Sequence, residues 1–212
     1  MTPERKAKFR AVVKNRQSNL TVVLENVHDL HNIGAVMRTC DSVGIKEIYV
    51  LYTEANLDQE HLQLAARSSS GARKWVDVRY FTKIKPCFEH LRKNYDYIFA
   101  THLDEAAQSL YDLDLTQSVA LVFGNEHEGI SEAALKWCDG NFIIPQVGMV
   151  QSLNISVACA VSIYEAKRQR INKGFYSTYP TLNESEQEIL YQDYARRHEM
   201  KIKNKSVKRM ND

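Results

Sequence analysis

The sequence lacks the features that would place it in several common classes of protein. It has no run of about 18 or more apolar residues, so no transmembrane helix is predicted. The charged N-terminus, MTPERKAKFRAVVKNRQ, has no apolar segment of the kind that defines a secretory signal. The four cysteines are scattered and include no C-x-x-C pair. This pattern favours a reduced, cytoplasmic protein over a disulfide scaffold or a zinc site.

Motifs for several kinds of nucleotide and nucleophile chemistry are also missing. There is no G-x-G-x-x-G after a predicted strand, no G-x-x-x-x-G-K-[ST] and no G-x-S-x-G. The usual dinucleotide, P-loop and serine-nucleophile sites are therefore not expected. His28 and His31 could face one metal ion, but their segment offers no clear third ligand. We interpret them as loop histidines and expect no metal.

Charge is distributed unevenly along the chain, although the net charge is only +2. Both ends are basic, and the middle is acidic. Basic ends on an acidic body favour an anionic polymer, such as nucleic acid, as partner; the alternative is that the charged ends are merely solvated. The basic residues are Arg5, Lys6, Lys8, Arg10, Lys14 and Arg16, then Lys167, Arg168, Arg170 and Lys173, and finally Arg196, Arg197, Lys201, Lys203, Lys205, Lys208 and Arg209.

Short β-branched runs alternate with segments of helical spacing. This alternation predicts an α/β fold with a mainly parallel sheet and helices on both faces. A chain of 212 residues suits one such domain with extensions. The predicted strands are Thr21–Leu24, Glu47–Leu51, Trp75–Val78, Tyr97–Ala100, Val119–Phe123 and Phe142–Ile144, and the predicted helices are Asn32–Val43, Thr82–Lys93 and Leu153–Arg170.

Two further helices are predicted in the basic extensions. Residues 1–17 form a basic helix with Phe9 on its apolar side, and residues 184–200 form another that begins near Asn183 as N-cap. The predicted division is therefore a helix over 1–17, a central domain over 18–176 and a helical extension with a tail over 177–212. The end of the tail is expected to be poorly ordered without a partner.

The first of three polar segments, ENVHDLHNIGAVMRTCDSVG, leaves a predicted strand and enters a helix. Asn32 occupies a plausible N-cap position, and Gly44 a plausible position after the helix end. Arg38 has two interpretations. It pairs with Asp41 on the helix surface, or it holds a phosphate or polarises a hydroxyl, since the guanidinium donors fit oxyanions.

The second and third segments, ALVFGNEHEGIS and IIPQVGMVQSLNISVACA, also follow predicted strands. In the second, Gly124 permits close backbone approach before the acidic Glu126. In the third, Ser152 and Asn154 precede a long helix, where they either cap it or contact a ligand together with its exposed N–H groups. Ligands of parallel α/β sheets bind outside the carboxyl ends of the strands, which makes the three segments together a candidate site.

These three segments, in this order, resemble the three motifs of the SpoU/TrmH family of SPOUT methyltransferases. HNIGAVMRTCDSVG resembles the first motif, LVFGNEHEGIS the second, and IPQVGMVQSLNISVACAVSIYEAKRQR the third. The resemblance covers about Leu20 to Tyr176 and is greatest for the branch that methylates the ribose of guanosine 18 in the tRNA D-loop. It implies a SPOUT-type fold with a C-terminal trefoil knot, a homodimer and S-adenosyl-L-methionine as cofactor.

The resemblance also implies roles for individual residues. The cofactor is held mainly by backbone groups, on Thr101, Gly124, Ile144, Met149 and Leu153, with Val150 lining the same pocket. The catalytic set is Arg38 with Asn32 beside it, and Glu126, Ser152 and Asn154, which position the reacting groups. RNA contacts are expected from Arg5, Lys8, Arg10, Arg168 and Arg170. Because arginine stays protonated, we expect Arg38 to stabilise the developing alkoxide electrostatically.

Two other functions are compatible with the sequence. The same reaction on ribosomal RNA is one, although only a short basic helix precedes the first predicted strand. A catalytically silent module that only binds RNA is the other, and the presence of Arg38, Asn32, Ser152 and Asn154 argues against it.

Overall fold

A computed structural model describes residues 1–58, 60, 71–200 and 208–210. Their regular elements are eight strands and six α-helices. The strands are β1 (Leu20–Glu25), β2 (Glu47–Leu51), β3 (Asp77–Phe81), β4 (Tyr97–Thr101), β5 (Gln108–Ser109), β6 (Val119–Phe123), β7 (Gly140–Ile143) and β8 (Lys208–Arg209). The helices are α1 (Pro3–Lys14), α2 (Leu30–Val43), α3 (Ile84–Asn94), α4 (Glu132–Leu135), α5 (Ile155–Asn172) and α6 (Glu184–Glu199).

The strands form one sheet in the order β5-β7-β4-β6-β1-β2-β3-β8. Every neighbouring pair is parallel, as in the register of Val22 with Leu121 and of Val23 with Tyr49. The carboxyl ends of all the strands therefore lie along one edge. The strand order reverses around β1, and this is where ligands of parallel sheets bind.

Helices cover both faces of the sheet. On one face, α2 and α5 pack through residues such as Met37 and Ile163 against alternate residues of β1 and β6. On the other face, α3 packs through Phe88 and Leu91 against the intervening strand residues, including Val23. Burial on both faces explains the nearly continuous apolar strands, and the predicted α/β class with a parallel sheet is confirmed.

Most predicted elements match the observed ones to within a few residues. The bounds of β2 and β6 agree fully with the prediction, whereas β5 and β8, of two residues each, were not predicted. The predicted strand Trp75–Val78 is shifted, because Trp75 follows a 3-10 turn at Ala72–Lys74 and packs on the N-terminal helix, and β3 begins at Asp77.

The ends of α2 confirm one predicted cap and correct another. Gly44 follows the helix with a left-handed φ of 88°. The N-cap is Asp29, whose carboxylate accepts from the His31 N–H over 2.7 Å. Asn32 lies in the first turn of the helix, so the prediction that it caps α2 is wrong. Its side chain is available for other contacts.

The two terminal helices pack on each other. Phe9 and Val13 of α1 form an apolar cluster with Tyr191 and Tyr194 of α6 and with Trp75. As predicted, α6 begins after Asn183, which forms a reciprocal capping box with the third residue of the helix. The two basic extensions thus form one structural unit.

Residues 208–210 of the basic tail contact the sheet. Backbone of residues 208–209 pairs with β3 as an added edge strand, and the Met210 N–H donates to the Tyr80 carbonyl over 3.1 Å. Three of the basic residues of the C-terminal tail, Lys201, Lys203 and Lys205, lie outside the described residues. Within the described ranges, no helix has the length and apolarity to span a bilayer.

A buried arginine joins α5 to the amino ends of β1 and β6. The Arg170 guanidinium donates to the carbonyl oxygens of Leu115, Asn19 and Gln117, at 2.9, 3.0 and 2.6 Å, and to the side chains of Asn19 and Gln17, at 2.6 and 3.2 Å. It is 0% exposed, and burial lowers its pKa to about 10. Arg170 therefore does not serve as the RNA contact expected from the sequence, since its donors are enclosed.

We expect Arg170→Ala to lower the free energy of unfolding by about 3 kcal/mol or more, because several buried oxygens would lose their donors. Urea unfolding followed by circular dichroism measures this. The control is Arg168→Ala, which removes a 61% exposed guanidinium paired with Glu165 and should lower the free energy of unfolding much less. Equal losses in the two variants would contradict the structural role of Arg170.

Candidate active site

The three polar segments meet at the carboxyl edge of the sheet. The first follows β1, the second follows β6 and the third follows β7. Because β6 lies between β1 and β4, and β7 lies beside β4, the chain brings these segments to neighbouring positions. The sequence order of the segments does not show this proximity, which results from the strand order.

Side chains from the three segments form one chain of hydrogen bonds. The Asn154 amide nitrogen donates to Asn32 Oδ1 over 3.1 Å, and the Asn32 amide nitrogen donates to Glu126 Oε1 over 2.9 Å. Asn32 is 6% exposed and lies between its two partners. The structure therefore brings together three of the five predicted catalytic residues, one from each segment.

The direction of this chain is set at the start of α5. Asn154 is the N-cap of that helix, and its Oδ1 accepts from the Ser156 N–H and hydroxyl, at 2.8 and 2.6 Å. This leaves the Asn154 amide nitrogen to face Asn32. The chain then ends on the Glu126 carboxylate, which only accepts when ionised. Asn154 thus caps the helix, which is one of the two predicted alternatives, and its amide also contacts Asn32 in the candidate site. Contact with a ligand stays a prediction.

The loop that carries Glu126 is held by close backbone contacts. A Cβ added to Gly124 would lie 2.2 Å from the Gly129 carbonyl, so only glycine fits there. The backbones of Asn125 and Gly129 exchange two hydrogen bonds, at 2.8 and 3.0 Å. The Asn125 amide nitrogen also donates to the Asn26 carbonyl over 2.9 Å, which ties the second segment to the end of β1.

A buried carboxylate makes a second link between β1 and this loop. Glu25 ends β1, is 1% exposed, and accepts from the Ser131 hydroxyl and N–H, at 2.6 and 3.0 Å. Burial raises the pKa of Glu25, and the hydrogen bonds from Ser131 oppose that rise. Because Ser131 also caps α4, Glu25 fixes where the second segment ends.

Glu25 and Asn26 were not among the site residues predicted from the sequence. The signal for Glu25 was present, since a carboxylate closes the otherwise apolar strand LTVVLE. Asn26 has a φ of 49° and exchanges side-chain hydrogen bonds with Thr53. Asparagine tolerates this left-handed conformation better than most residues, but the need for it arises only in the fold.

Arg38 and Ser152 are exposed to solvent at this edge of the molecule. The helix spacing suggested that Arg38 pairs with Asp41. The Asp41 carboxylate instead accepts from the buried Arg16 guanidinium over 2.6 Å.

The predicted cofactor residues lie at the ends of β4, β6 and β7. Thr101 closes β4, and its hydroxyl donates to the Val122 carbonyl over 3.2 Å. Ile144 and Leu153 are half-buried, and between them residues 145–152 are all exposed. Met149 is 99% exposed. Exposed apolar side chains in a loop at a ligand-binding edge are a surface that a ligand or partner covers.

Histidines near the site do not form a metal centre. His28 lies 2.8 Å from a carboxylate oxygen of Glu54. His31 is exposed at the start of α2. No group of three potential ligands close enough to hold a metal ion occurs in the described part of the chain.

Comparison with known proteins identifies the family. A model of the SpoU rRNA Methylase family matches residues 19–164. The chain is similar to the tRNA (guanosine(18)-2'-O)-methyltransferase of Thermus thermophilus, with 40% identity over 82% of this chain and 88% of the relative. It is also similar to the crystal structure of the Aquifex aeolicus TrmH/SpoU tRNA modifying enzyme, with a TM-score of 0.77, 33% identity, and coverage of 92% and 96% of the two chains.

A second similar structure contains a cofactor. It is the SpoU methyltransferase AviRb from Streptomyces viridochromogenes in complex with AdoMet, with a TM-score of 0.65, 26% identity, and coverage of 74% of this chain and 62% of that one. The matched range 19–164 includes all three segments that converge on Asn32. The resemblance of the three motifs is thus confirmed, and the chain belongs to the SpoU rRNA Methylase family.

Proposed function

We propose that this protein transfers a methyl group from S-adenosyl-L-methionine to the ribose 2′-hydroxyl of guanosine 18 in tRNA. The observation that carries the proposal is the direct contact of Asn32, Glu126 and Asn154, one residue from each segment, at the ligand-binding edge. The named activity of the Thermus thermophilus relative supports the substrate and the position.

The residues at this edge fit S-adenosyl-L-methionine. Its adenosine and methionine parts need apolar contacts and backbone hydrogen-bonding groups, and the ends of β4, β6 and β7 offer both. Thr101, Gly124, Ile144 and Leu153 would hold it through their backbones, and Met149 would cover it. When bound, the cofactor supplies an electrophilic methyl group.

The protein's own residues orient the ribose and stabilise charge. Asn32 is fixed on both sides by Asn154 and Glu126, so its amide cannot rotate freely. A ribose hydroxyl that attacks must lose its proton and develop negative charge. Arg38 remains protonated, so it would stabilise that charge as a donor, directly or through a neighbouring phosphate. Ser152, exposed beside Asn154, would contact the reacting groups.

A homodimer is part of this proposal. Val157, Tyr164 and Ile171 recur every seven residues along α5 and are 46%, 48% and 52% exposed. They form an apolar stripe on one side of the helix, next to the exposed third segment.

We expect sedimentation equilibrium to show a dimer, and Ile171→Asp to shift it toward monomer. A wild-type chain that is an active monomer would contradict this.

RNA contacts are assigned to exposed basic residues, which include Arg5 and Lys8, and Arg168, which also pairs with Glu165. Arg10 is 60% exposed, but it already contacts Glu188 over 2.9 Å and the Tyr191 ring. Methylation of ribosomal RNA is the second candidate, favoured by the description of the family and by ribosomal RNA methyltransferases among the relatives. The trefoil knot and the cytoplasmic location stay predictions.

The proposed function is tested with the purified protein, labelled S-adenosyl-L-methionine and tRNA transcripts. We expect stoichiometric labelling of a transcript with guanosine 18 and no labelling when that nucleotide is adenosine. A 2′-deoxy substitution at position 18 should also abolish labelling, which locates the methyl group on the ribose. Labelling of ribosomal RNA fragments in place of tRNA would favour the second candidate. Binding without any methyl transfer would indicate a silent module.

For Arg38→Ala we expect turnover to fall by roughly 10²–10³-fold, as on loss of an oxyanion-type donor. Binding of S-adenosylhomocysteine, measured by calorimetry, should stay nearly unchanged, because Arg38 is assigned to the ribose and not to the cofactor. The matched control is Arg92→Ala on α3, which removes a surface pair with Asp139 and should leave turnover near wild type. Near-normal turnover of Arg38→Ala would assign Arg38 a structural role.

A further inference from the structure

Cationic side chains from three separate parts of the chain converge beside the N-terminus of α1. Arg5 belongs to α1, Lys74 ends the 3-10 turn before β3, and His198 lies in the last turn of α6. An open cavity of about 580 Å³ is lined by Met1, Thr2, Arg5 and His198. A smaller one of about 200 Å³ adjoins it at Arg5 and extends past Lys8 to Trp75.

Three arginines in or next to the terminal helices already pair with carboxylates. Arg10 pairs with Glu188 at 2.9 Å, and Arg16 with Asp41 at 2.6 Å. Arg197 pairs with Asp193 and, at 3.2 Å, with Asp77. By contrast, the described residues include no carboxylate that forms an ion pair with Arg5, Lys74 or His198. The larger cavity is therefore lined by two basic side chains, Arg5 and His198, that pair with no carboxylate of the described residues. Lys74 lies outside that lining but close enough for its charge to lower the pKa of His198.

Aromatic rings hold these cations in place. The Arg5 guanidinium lies 5.6 Å from the centre of the Phe9 ring, and Lys74 Nζ lies 5.0 Å from the Trp75 ring. Phe9 packs edge-on against both His198 and Trp75, at 5.6 and 5.2 Å between ring centres. Cations positioned over aromatic faces lose less conformational freedom on binding an anion than freely extended side chains do.

The positive charges of Arg5, Lys74 and His198 repel one another. Desolvation and then the charge of Arg5 lower the pKa of Lys74. Desolvation lowers the pKa of His198, and Arg5, Lys74 and the Met1 amino group lower it further, while Glu199 alone among its charged neighbours raises it. An anion between these groups would relieve the repulsion.

We propose that Arg5, Lys74 and His198 form a binding site for a phosphodiester group of the RNA backbone. The cavity opens at the N-terminus of α1, whose dipole adds to the field that attracts an anion. RNA as the source of the phosphate rests on the proposed function. The site lies on the α1–α6 unit, separate from the edge that carries Asn32. Bound phosphate would favour protonation of His198, so RNA binding strengthens as the pH falls.

The test measures binding of a tRNA transcript by filter binding across a salt series, without methyl transfer. For Lys74→Gln we expect weaker binding and a slope of log affinity against log salt that is flatter by about 0.7–0.9, the effect of one phosphate contact. Lys74→Arg should keep the wild-type slope, because it retains the charge. Lys93→Gln, an exposed lysine on α3 over the other face of the sheet, is the matched control and should also keep it.

His198 is tested by pH. Wild-type affinity should rise between about pH 8 and pH 5.5 as the imidazole takes up a proton, and His198→Gln should remove most of that rise. His102→Gln, at the carboxyl edge, should not. A wild-type slope in Lys74→Gln together with an unchanged pH profile in His198→Gln would overturn the site, whether or not guanosine 18 is methylated. Loss of methylation with these binding effects intact would overturn the proposed function alone.

Discussion

The candidate site depends on the amide of Asn32. It accepts from one side and donates to the other, and its two partners come from chain segments that lie 94 and 122 residues away. An amide is suited to this position because it has a donor and an acceptor on opposite sides. An aspartate there would repel the Glu126 carboxylate, and a leucine would leave both partners without a hydrogen bond.

Local contacts hold the loop of the second segment beside this amide. Gly124 permits a backbone approach that no side chain would allow, and Glu25 holds Ser131 at the end of the loop. The segment before Asn154, by contrast, is exposed over residues 145–152. The site therefore combines a hydrogen-bonded polar part with a loop whose apolar residues are exposed.

The sequence predicted the layers, the parallel sheet and three residues that meet in the candidate site, because apolar runs and polar strand ends are local signals. Its errors have physical causes. A two-residue strand such as β5 has no periodicity to detect. Arg170 lies in a basic stretch of the sequence, which suggests an RNA contact. Only the fold shows that neutral oxygens enclose its guanidinium. Likewise, the pairing of Asp41 with Arg16 rather than with Arg38 depends on a contact between residues 25 positions apart.

The packing of α1 on α6 has a consequence for how the chain is made. Arg16 donates to the Tyr194 hydroxyl across 178 residues of sequence, and Phe9 is covered by the same helix. During translation α1 leaves the ribosome before β1, yet its partner α6 emerges only after β1 to β7 have been synthesised. The nascent chain therefore exposes the apolar side of α1 for most of its synthesis, and this helix docks late although it is made early.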